Sequence, residues 1–176
     1  MNGRSCREEA CRIARSSNPG LLKGQTVVVT GGGSGIGRCT AHEIAGLGGH
    51  VVITGRKPEK LGVVKAEIEA AGGSCESHTF DIREEAQVKE AVGKIVAANG
   101  HIHGLFNNAG GQFPSHAATM SAKGFDVVVR NNLTGGFIVS REVFTQSMEK
   151  HGGSIVNMAA DMRNGFPNMA HTGAAR

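Results

Sequence analysis

The fold is decided by the stretch Val27-Val28-Val29-Thr30-Gly31-Gly32-Gly33-Ser34-Gly35-Ile36-Gly37 in this chain of 176 residues. Its apolar β-branched run ends in clustered glycines, a pattern typical of a buried strand that passes directly into a helix. Glycines at such a turn let a pyrophosphate approach the backbone, and the first N–H groups of the helix offer it hydrogen-bond donors. The stretch therefore predicts a phosphate-binding turn for a nucleotide. A glycine-rich hairpin or linker is the alternative, which the flanking segments disfavour.

Beyond this turn, strand-like and helix-like segments alternate, and Gly or Pro separates most of them. Helical spacing covers 35–47, 61–71 and 88–96, strand-like runs cover 51–53, 75–80, 105–106 and 155–156, and 125–148 is predicted as a long helix or a broken pair. This alternation predicts βαβ units and hence an α/β fold, a doubly wound parallel sheet with helices on both faces. A ligand is then expected at the carboxyl ends of the strands.

Length and composition limit the classes of protein that the chain fits. An apolar share of 39% predicts one globular domain with a substantial core. No run of eighteen apolar residues occurs, so neither a membrane span nor membrane association is predicted, and the N-terminus lacks the apolar centre of a secretory signal. The net charge of +4 is mild, and a chain without Trp, Tyr or a dense basic patch beyond its N-terminal arm predicts no nucleic-acid partner.

Residues 1–20 are predicted to form a mobile N-terminal extension, and residues 21–176 are predicted to form the dinucleotide-binding domain. The expected location is the cytoplasm. The first fifteen residues contain four arginines, which makes an organelle presequence and an organelle matrix the alternative, although Glu8 and Glu9 weaken it. His101-x-His103 has the spacing of a metal chelate but no obvious third ligand, so no metal site is predicted.

The glycine pattern resembles the short-chain dehydrogenase/reductase family, and a second landmark, Asn107-Asn108-Ala109-Gly110, follows an apolar pair as it does in that family. The resemblance runs from about Leu21 to the last residue. It implies a Rossmann-type fold, here without the last strands of the family, and a homo-oligomer for the full-length family member. Residues expected to contact the cofactor are Thr30, Gly31, Gly33, Ser34, Gly35, Ile36, Gly37, Asn108, Ala109 and Gly110.

Cofactor choice is predicted from the end of the second strand, where a carboxylate suits the ribose 2′-hydroxyl of NAD and a cation suits a 2′-phosphate. The residues there are Thr54-Gly55-Arg56-Lys57, with no acid among them, so NADP(H) is predicted with Arg56 as the phosphate partner. Alternatively, these cations only solvate a loop. Asp81-Ile82 resembles the family position that contacts adenine, and Asp81 is equally a candidate helix cap.

The catalytic half departs from the family pattern. Asn132 matches the family asparagine that helps to organise a proton relay, whereas Ala160 occupies the serine position and Thr172 the tyrosine position. The chain contains no tyrosine. Arg176 occupies the lysine position, and its guanidinium is expected to bind ribose hydroxyls.

The segment from His171 to Arg176 resembles the enoyl-CoA and dienoyl-CoA reductase branch of the family, as do Gly110-Gly111-Gln112-Phe113 and Gly165-Phe166-Pro167. The resemblance implies that NADPH gives a hydride to the β-carbon of an acyl-thioester substrate, after which the α-carbon is protonated. Asp161 and His171 are the candidates for the proton transfer. The alternatives are a carbonyl (3-oxoacyl) reductase and a catalytically incomplete nucleotide-binding fragment.

Overall fold

The computed structural model describes residues 18–161, 163 and 165–176, so most of the predicted N-terminal extension lies outside it. The strands are β1 (Thr26–Thr30), β2 (His50–Gly55), β3 (Ser74–Thr79), β4 (Gly104–Asn107) and β5 (Ser154–Asn157). The α-helices are α1 (Gly35–Gly46), α2 (Pro58–Ala70), α3 (Glu85–Asn99), α4 (Ala122–Val129), α5 (Gly135–Val143), α6 (Glu149–His151) and α7 (Ala170–Ala175).

The five strands form one parallel sheet in the order β3-β2-β1-β4-β5. The chain moves outward from β1 through β2 to β3 and then returns to the other side of β1 with β4. This reversal creates a crevice between the carboxyl ends of β1 and β4, which is where doubly wound sheets bind ligands. The predicted α/β Rossmann-type architecture is confirmed.

Helices cover both faces of the sheet because alternate residues of the central strands point to opposite sides. Val28 and Val52 pack into a core shared with α3 and α5. Val29 and Ile53 pack into a second core shared with α1 and α2. Continuous apolar strands are typical of a sheet that is buried on both faces.

The helical backbone is continuous from 122 to 151, which resolves the predicted long helix or broken pair in favour of one long helix. Two π-helical segments, Arg130–Thr134 and Phe144–Met148, join α4, α5 and α6. The Ser121 hydroxyl caps the start of this helix by accepting a hydrogen bond from Gly124 N at 3.1 Å. The first π-helical segment contains Asn132, at the point where the helix passes the crevice.

The segment before β1 packs against the turn that follows α1. Leu22 N donates to Leu47 O at 3.0 Å, and Leu21 N donates to Asn18 O at 3.0 Å. Gly48 has a φ of 87°, and a Cβ there would lie 2.9 Å from Pro19 O. Within the described part of the chain, no helix combines the length and apolar character needed to cross a bilayer.

Candidate functional site

Two adjoining clefts, each of about 360 Å³, lie at the carboxyl ends of the strands and share Ala109. The first lies over the β1–α1 turn, and the second lies beside β4, β5 and α5. The first cleft is lined by Gly31, Gly33, Ser34, Ile36, Gly55, Arg56, Lys57, Lys60, Leu61, Phe80, Asp81, Ile82, Asn108, Ala109, Gly110 and Asn131. The second is lined by Asn107, Ala109, Asn132, Leu133, Gly136, Phe137, Ser140, Asn157, Met158, Ala159, Ala175 and Arg176.

Thr30 connects the glycine turn to the turn after β4. Its buried hydroxyl accepts hydrogen bonds from Asn108 N at 3.0 Å and Ala109 N at 2.9 Å, and it donates to Phe106 O at 3.4 Å. The Asn108 side chain in turn donates a hydrogen bond from Nδ2 to the backbone oxygen of Thr30 at 2.9 Å. Thr30 is therefore a support of the first cleft and does not line it.

Two glycines make the close packing of these turns possible. Gly31 has a φ of 68°, and a Cβ there would lie 3.0 Å from Ala109 Cα. A Cβ on Gly37 would lie 2.5 Å from Asn108 Nδ2 and would overlap the Gly31 carbonyl. Side chains at these positions would force the turns apart, so both glycines shape the cradle in which a phosphate would rest.

The first cleft brings together most of the predicted cofactor residues. Gly35 and Gly37 are not among its lining residues, whereas Ile36, which is 59% exposed, is one of them. The prediction missed Lys60 and Asn131, which also line this cleft. The sequence did contain a signal for Lys60, because it is the third cation within five residues of the end of β2. Asn131 gave no such signal, because only the course of the helix from 122 to 151 brings it to the cleft.

The cations at the end of β2 are exposed and form no ion pair with a described residue, although the charge of Arg56 helps to lower the pKa of Asp81. Among the described residues, no carboxylate lies within ion-pair distance of Arg56, Lys57 or Lys60. Arg38, which follows the glycine turn in sequence, instead binds Glu67 through Nε at 3.0 Å and Nη2 at 2.6 Å. The positive charge available to a ligand in this cleft therefore comes from the β2–α2 connection.

Asp81 lines the first cleft, but its carboxylate already has a partner. Arg83 donates from Nε to Asp81 Oδ1 at 2.9 Å and from Nη2 to Oδ2 at 2.5 Å. These hydrogen bonds hold the pKa of Asp81 below its usual range. Glu84, and not Asp81, is the N-cap residue of α3. Ile82 is buried, and a Cβ on Gly135 would lie 2.7 Å from its Cδ1.

Asn132 and Arg176 meet at the edge of the second cleft. Asn132 Oδ1 accepts from Gly111 N at 3.0 Å and from Arg176 Nε at 3.1 Å. Arg176 Nη2 donates to the carbonyl oxygens of Asn108 at 3.1 Å and Ala109 at 3.2 Å. Arg176, expected among the cofactor contacts, thus lines the second cleft and not the first. Gly110 leaves room for this arrangement, because a Cβ there would overlap the Arg176 guanidinium.

The two predicted proton-transfer candidates lie outside both clefts. Asp161 is exposed and binds Arg163, whose Nη2 donates to Oδ2 at 2.7 Å, and this contact lowers the pKa of Asp161. His171 is fully buried against the ring of Phe113, with the ring centroids 4.8 Å apart. Its Nδ1 accepts from Thr172 N at 2.8 Å. The structure therefore brings neither side chain to the expected reaction site.

The second cleft combines apolar walls with amide groups. Leu133, Phe137 and Met158 supply the larger apolar side chains of its lining. Asn107 Nδ2 donates to Ser140 Oγ at 2.7 Å and to Asn157 Oδ1 at 2.9 Å. Arg176 is the sole ionisable side chain among the described residues that line this cleft, so the cleft suits an uncharged, partly apolar ligand that carries a hydrogen-bond acceptor.

A metal centre finds no support in the described part of the chain. No group of three or more His, Cys, Asp or Glu side chains there has a geometry that would hold a metal ion. The His101 and His103 rings lie with their centroids 4.0 Å apart. His103 Nδ1 accepts a hydrogen bond from Thr26 N at 3.0 Å, which commits that nitrogen to the backbone.

Comparisons with known proteins agree with this geometry. Residues 25–175 match the family described as short chain dehydrogenase. The probable 2,4-dienoyl-CoA reductase of Bacillus subtilis is 32% identical, and the match covers 88% of this chain and 62% of that protein. The peroxisomal 2,4-dienoyl-CoA reductase of Mus musculus is 35% identical, with 90% of this chain and 55% of that protein covered.

Solved structures include a nearer relative. The citronellol catabolism dehydrogenase of Pseudomonas aeruginosa is 61% identical with a TM-score of 0.88, over 91% of this chain and 66% of that one. A metagenomic short-chain oxidoreductase solved in complex with NADP is 34% identical with a TM-score of 0.82, over 88% of this chain and 71% of that one. The chain thus spans between about half and two thirds of the length of the curated relatives it matches.

Proposed function

Since the chain belongs to the short-chain dehydrogenase family of oxidoreductases, we propose that it binds NADPH in the first cleft and reduces an enoyl-type thioester in the second. The observation that carries the proposal is the pair of clefts joined at Ala109. One has a glycine cradle with uncommitted cations, and the other has apolar walls with a single cation. A dinucleotide and an acyl substrate would meet where the clefts join.

The residues of the first cleft fit NADPH. Gly31 and Gly37 permit the turns to pack closely, and the N-terminal N–H groups of α1 suit a pyrophosphate. Arg56, with Lys57 and Lys60 nearby, offers cations for a 2′-phosphate that NADH lacks. The relative solved with NADP agrees with this preference. When bound, NADPH supplies the hydride.

The second cleft favours reduction of a carbon–carbon double bond. Oxidation of an alcohol or reduction of a ketone needs a group that moves a proton at the substrate oxygen. Thr172 at the expected tyrosine position is fully buried, and no described residue that lines this cleft titrates near neutral pH. Addition of hydride to a conjugated thioester leaves an enolate instead, whose α-carbon takes its proton in a separate step. The names of the 32–35% identical relatives agree with this chemistry.

The source of the proton in this proposal is water. Asp161 and His171 are the alternatives suggested by the sequence, although neither lines the second cleft. Replacing Asp161 with Asn and His171 with Gln separates these possibilities. Turnover within about threefold of the parent chain in both variants agrees with water, whereas a loss of about 10²-fold in either, with NADPH binding intact, assigns general-acid catalysis to that residue.

A second candidate comes from the 61% identical relative, whose name refers to citronellol catabolism. The substrate would then be an acyclic unsaturated alcohol, or a compound derived from it, and not a straight-chain thioester. The two candidates can be told apart by the direction of hydride transfer, which is oxidation of an alcohol for the second and reduction of a thioester for the first. Oxidation of citronellol with NADP⁺ supports the second, and reduction of crotonyl-CoA or hexadienoyl-CoA with NADPH supports the first.

The experiment that tests the proposal is a fluorescence titration with NADPH and with NADH, followed by addition of each substrate. Arg56→Gln is expected to weaken NADPH binding by about 10- to 100-fold, because a hydrogen bond to a charged group contributes roughly 1.5–3 kcal/mol. NADH binding should change little. Arg130→Gln is the matched control, since Arg130 lies outside both clefts. Equal binding of both cofactors, unaffected by Arg56→Gln, would overturn the NADP(H) assignment.

Several wider expectations belong to the same proposal. We propose a homo-oligomer for the complete protein and a location in the cytoplasm or an organelle matrix, the latter in line with the relatives named as peroxisomal. Binding of NADPH without turnover of any substrate would favour the remaining alternative, a nucleotide-binding fragment that lacks a complete catalytic half.

A further inference from the structure

The first cleft contains a carboxylate beside its cations. Asp81 is the one acidic side chain among the described residues that line this cleft, where Arg56, Lys57 and Lys60 supply the positive charge. Hydrogen bonds from Arg83 hold the pKa of Asp81 below its usual range, and the charge of Arg56 adds to this effect. An ionised carboxylate accepts hydrogen bonds and donates none. At neutral pH this part of the cleft wall is therefore an acceptor, next to cations that suit a phosphate.

Arg83 holds the Asp81 carboxylate without lining the cleft itself. Its backbone N and its Nε donate to Oδ1 at 3.0 Å and 2.9 Å, and its Nη2 donates to Oδ2 at 2.5 Å. The Nε group is shared with Oδ2 at the longer distance of 3.1 Å. A carboxylate has roughly four lone-pair sites. Oδ1 accepts from two groups and Oδ2 has one short hydrogen bond, so Oδ2 is the oxygen with room for a further donor.

The same local arrangement occurs a second time in the chain, away from both clefts. Arg163 donates to Asp161, two residues earlier, through its backbone N at 3.1 Å and its Nη2 at 2.7 Å. The side chains of that pair are 63% and 87% exposed, whereas those of Asp81 and Arg83 are 18% and 30% exposed. The spacing is thus sufficient to form such a pair. Asp81 differs in its place in a cleft wall, where shielding from water strengthens the attraction between the two charges.

The surroundings of Asp81 suit a flat and partly apolar group. Phe80 and Ile82 flank Asp81 in the sequence, and both are buried and line the same cleft. Asp81 N donates to Gln87 Oε1 at 3.1 Å, and Phe80 N donates to Gly55 O at 3.1 Å, so the backbone that carries the carboxylate is fixed. A nucleobase has an apolar face and hydrogen-bonding groups at its edge. In adenine the exocyclic group is an amine, which donates, whereas in hypoxanthine it is a carbonyl oxygen, which accepts.

We propose that Arg83 is a positioning residue that holds the Asp81 carboxylate in the wall of the first cleft and so selects a dinucleotide whose base carries an exocyclic amine. This inference rests on the proposed function, because it takes the first cleft as the dinucleotide site. The amine of adenine donates to the carboxylate, and the carbonyl oxygen of hypoxanthine is repelled by it. Arg83 contacts neither base and acts through Asp81. Without Arg83 the carboxylate is free to rotate, and the ligand must then order it on binding.

The test compares the Kd of NADPH with the Kd of reduced nicotinamide hypoxanthine dinucleotide phosphate, which differs from NADPH only in its base. Both ligands are titrated by the fluorescence of the reduced nicotinamide. The parent chain is expected to bind NADPH about 10- to 100-fold more tightly, as for one hydrogen bond to a charged group. Asp81→Asn should bring this ratio to within about threefold of one, because an amide both donates and accepts.

Variants of Arg83 test the positioning role. Arg83→Gln should lower the ratio by about threefold or more, and Arg83→Lys, which keeps the charge, should recover part of the loss. Arg163→Gln is the matched control, since it removes the equivalent partner of Asp161 outside both clefts and should keep the parent ratio. Each ratio compares two ligands on one variant, so a smaller folded fraction lowers both signals and leaves the ratio unchanged.

A double variant shows whether Arg83 acts through Asp81. Adding Arg83→Gln to Asp81→Asn should not change the ratio further, because the group that Arg83 positions is already gone. An additional fall in the double variant would refute the positioning role. A parent-like ratio in Arg83→Gln would refute it as well. Tighter NADPH binding by Arg83→Gln would also overturn the proposal, since Arg83 would then compete with the ligand for the carboxylate.

The results also separate this inference from the proposed function. If the chain reduces no thioester but prefers adenine in an Arg83-dependent manner, the proposed function fails and the assignment of Arg83 stands. If NADH binds as tightly as NADPH, the NADP(H) assignment fails, and NADH with its own hypoxanthine analogue gives the ratio that tests Arg83. Equal binding of both bases by the parent chain refutes the assignment of Arg83, even where NADPH reduces a thioester.

Discussion

Replacing Thr30 with Val should destabilise the protein strongly, although the same change at Thr54 should not. The two threonines are neighbours in register on β1 and β2, and both are buried. The Thr30 hydroxyl accepts hydrogen bonds from Asn108 N and Ala109 N, whereas the Thr54 hydroxyl has no partner among the described residues. Valine preserves the shape of the side chain and removes only the hydroxyl. The pair therefore isolates the contribution of the hydrogen bonds.

The expected magnitude follows from the groups left without partners. Thr30→Val leaves Ala109 N without its acceptor, at about 1–3 kcal/mol for a fully buried group, and the turn is half-buried. Asn108 N loses one of two acceptors, because it also donates to Phe106 O at 3.0 Å. We expect a loss of about 1–3 kcal/mol in the free energy of unfolding. Thr54→Val removes an unsatisfied hydroxyl, so its effect should lie between zero and a gain of about 1 kcal/mol.

Urea denaturation and thermal melting would measure the difference. For a domain of this size a change of 1 kcal/mol corresponds to about 2–4 °C in Tm, so Thr30→Val should melt about 5–10 °C below Thr54→Val. Thr30→Ser, which keeps the hydroxyl, should recover most of the loss. Equal stability of the two valine variants would refute the reasoning, because the hydrogen bonds to Thr30 would then contribute nothing measurable.

Three further predictions concern single side chains. Gly37→Ala should abolish detectable NADPH binding, because the added Cβ would overlap the Gly31 carbonyl. Gly62→Ala is the control, since Gly62 lies in an open position on α2. It should leave NADPH binding unchanged and raise the free energy of unfolding in urea by up to about 1 kcal/mol. Asp81 has a lowered pKa in the folded state, so its stabilising contribution is complete above its unfolded pKa of about 4 and is lost as the pH falls through the folded value. Urea denaturation from pH 6 to pH 3 should show a smaller loss for Asp81→Asn than for the parent chain, and equal slopes would contradict this. Cys75 is buried with its pKa raised to about 12, so peptide mapping should find it unmodified by iodoacetamide at pH 8 until urea unfolds the chain.

Local sequence patterns were sufficient for the order of elements. The apolar run before Gly31 and the helical spacing after Pro58 each mark a single local structure, and β1 and α2 lie where these patterns predict them. The ends of elements moved by a residue or a few, as for β3, which spans Ser74–Thr79 where 75–80 was predicted. Hydrophobic periodicity determines which face is buried but only weakly determines where the last hydrogen bond forms.

The site was less predictable because its contacts join distant parts of the chain. Arg38 follows the glycine turn in sequence, yet its guanidinium binds Glu67 on α2 and is not directed to the turn's ligand by sequence position alone. Arg176 reaches the carbonyl oxygens of a turn 67 and 68 residues earlier in the sequence. Asp161 and His171 were selected for their chemistry, but the packing of the chain puts one on the surface and buries the other. No short-range pattern contains this information.

The hydrogen bonds between Thr30 and the turn after β4 have a consequence for biosynthesis. They join residues 78 and 79 positions apart, so the glycine turn is made long before the strand that braces it. A nascent chain that has emerged only as far as α2 contains the glycine turn and the cations at the end of β2. It lacks the turn after β4, whose N–H groups donate to Thr30. Formation of such distant contacts is slow because a long loop must close first. Affinity for the dinucleotide should therefore arise late in translation, after β4 docks beside β1, and not gradually as the chain lengthens.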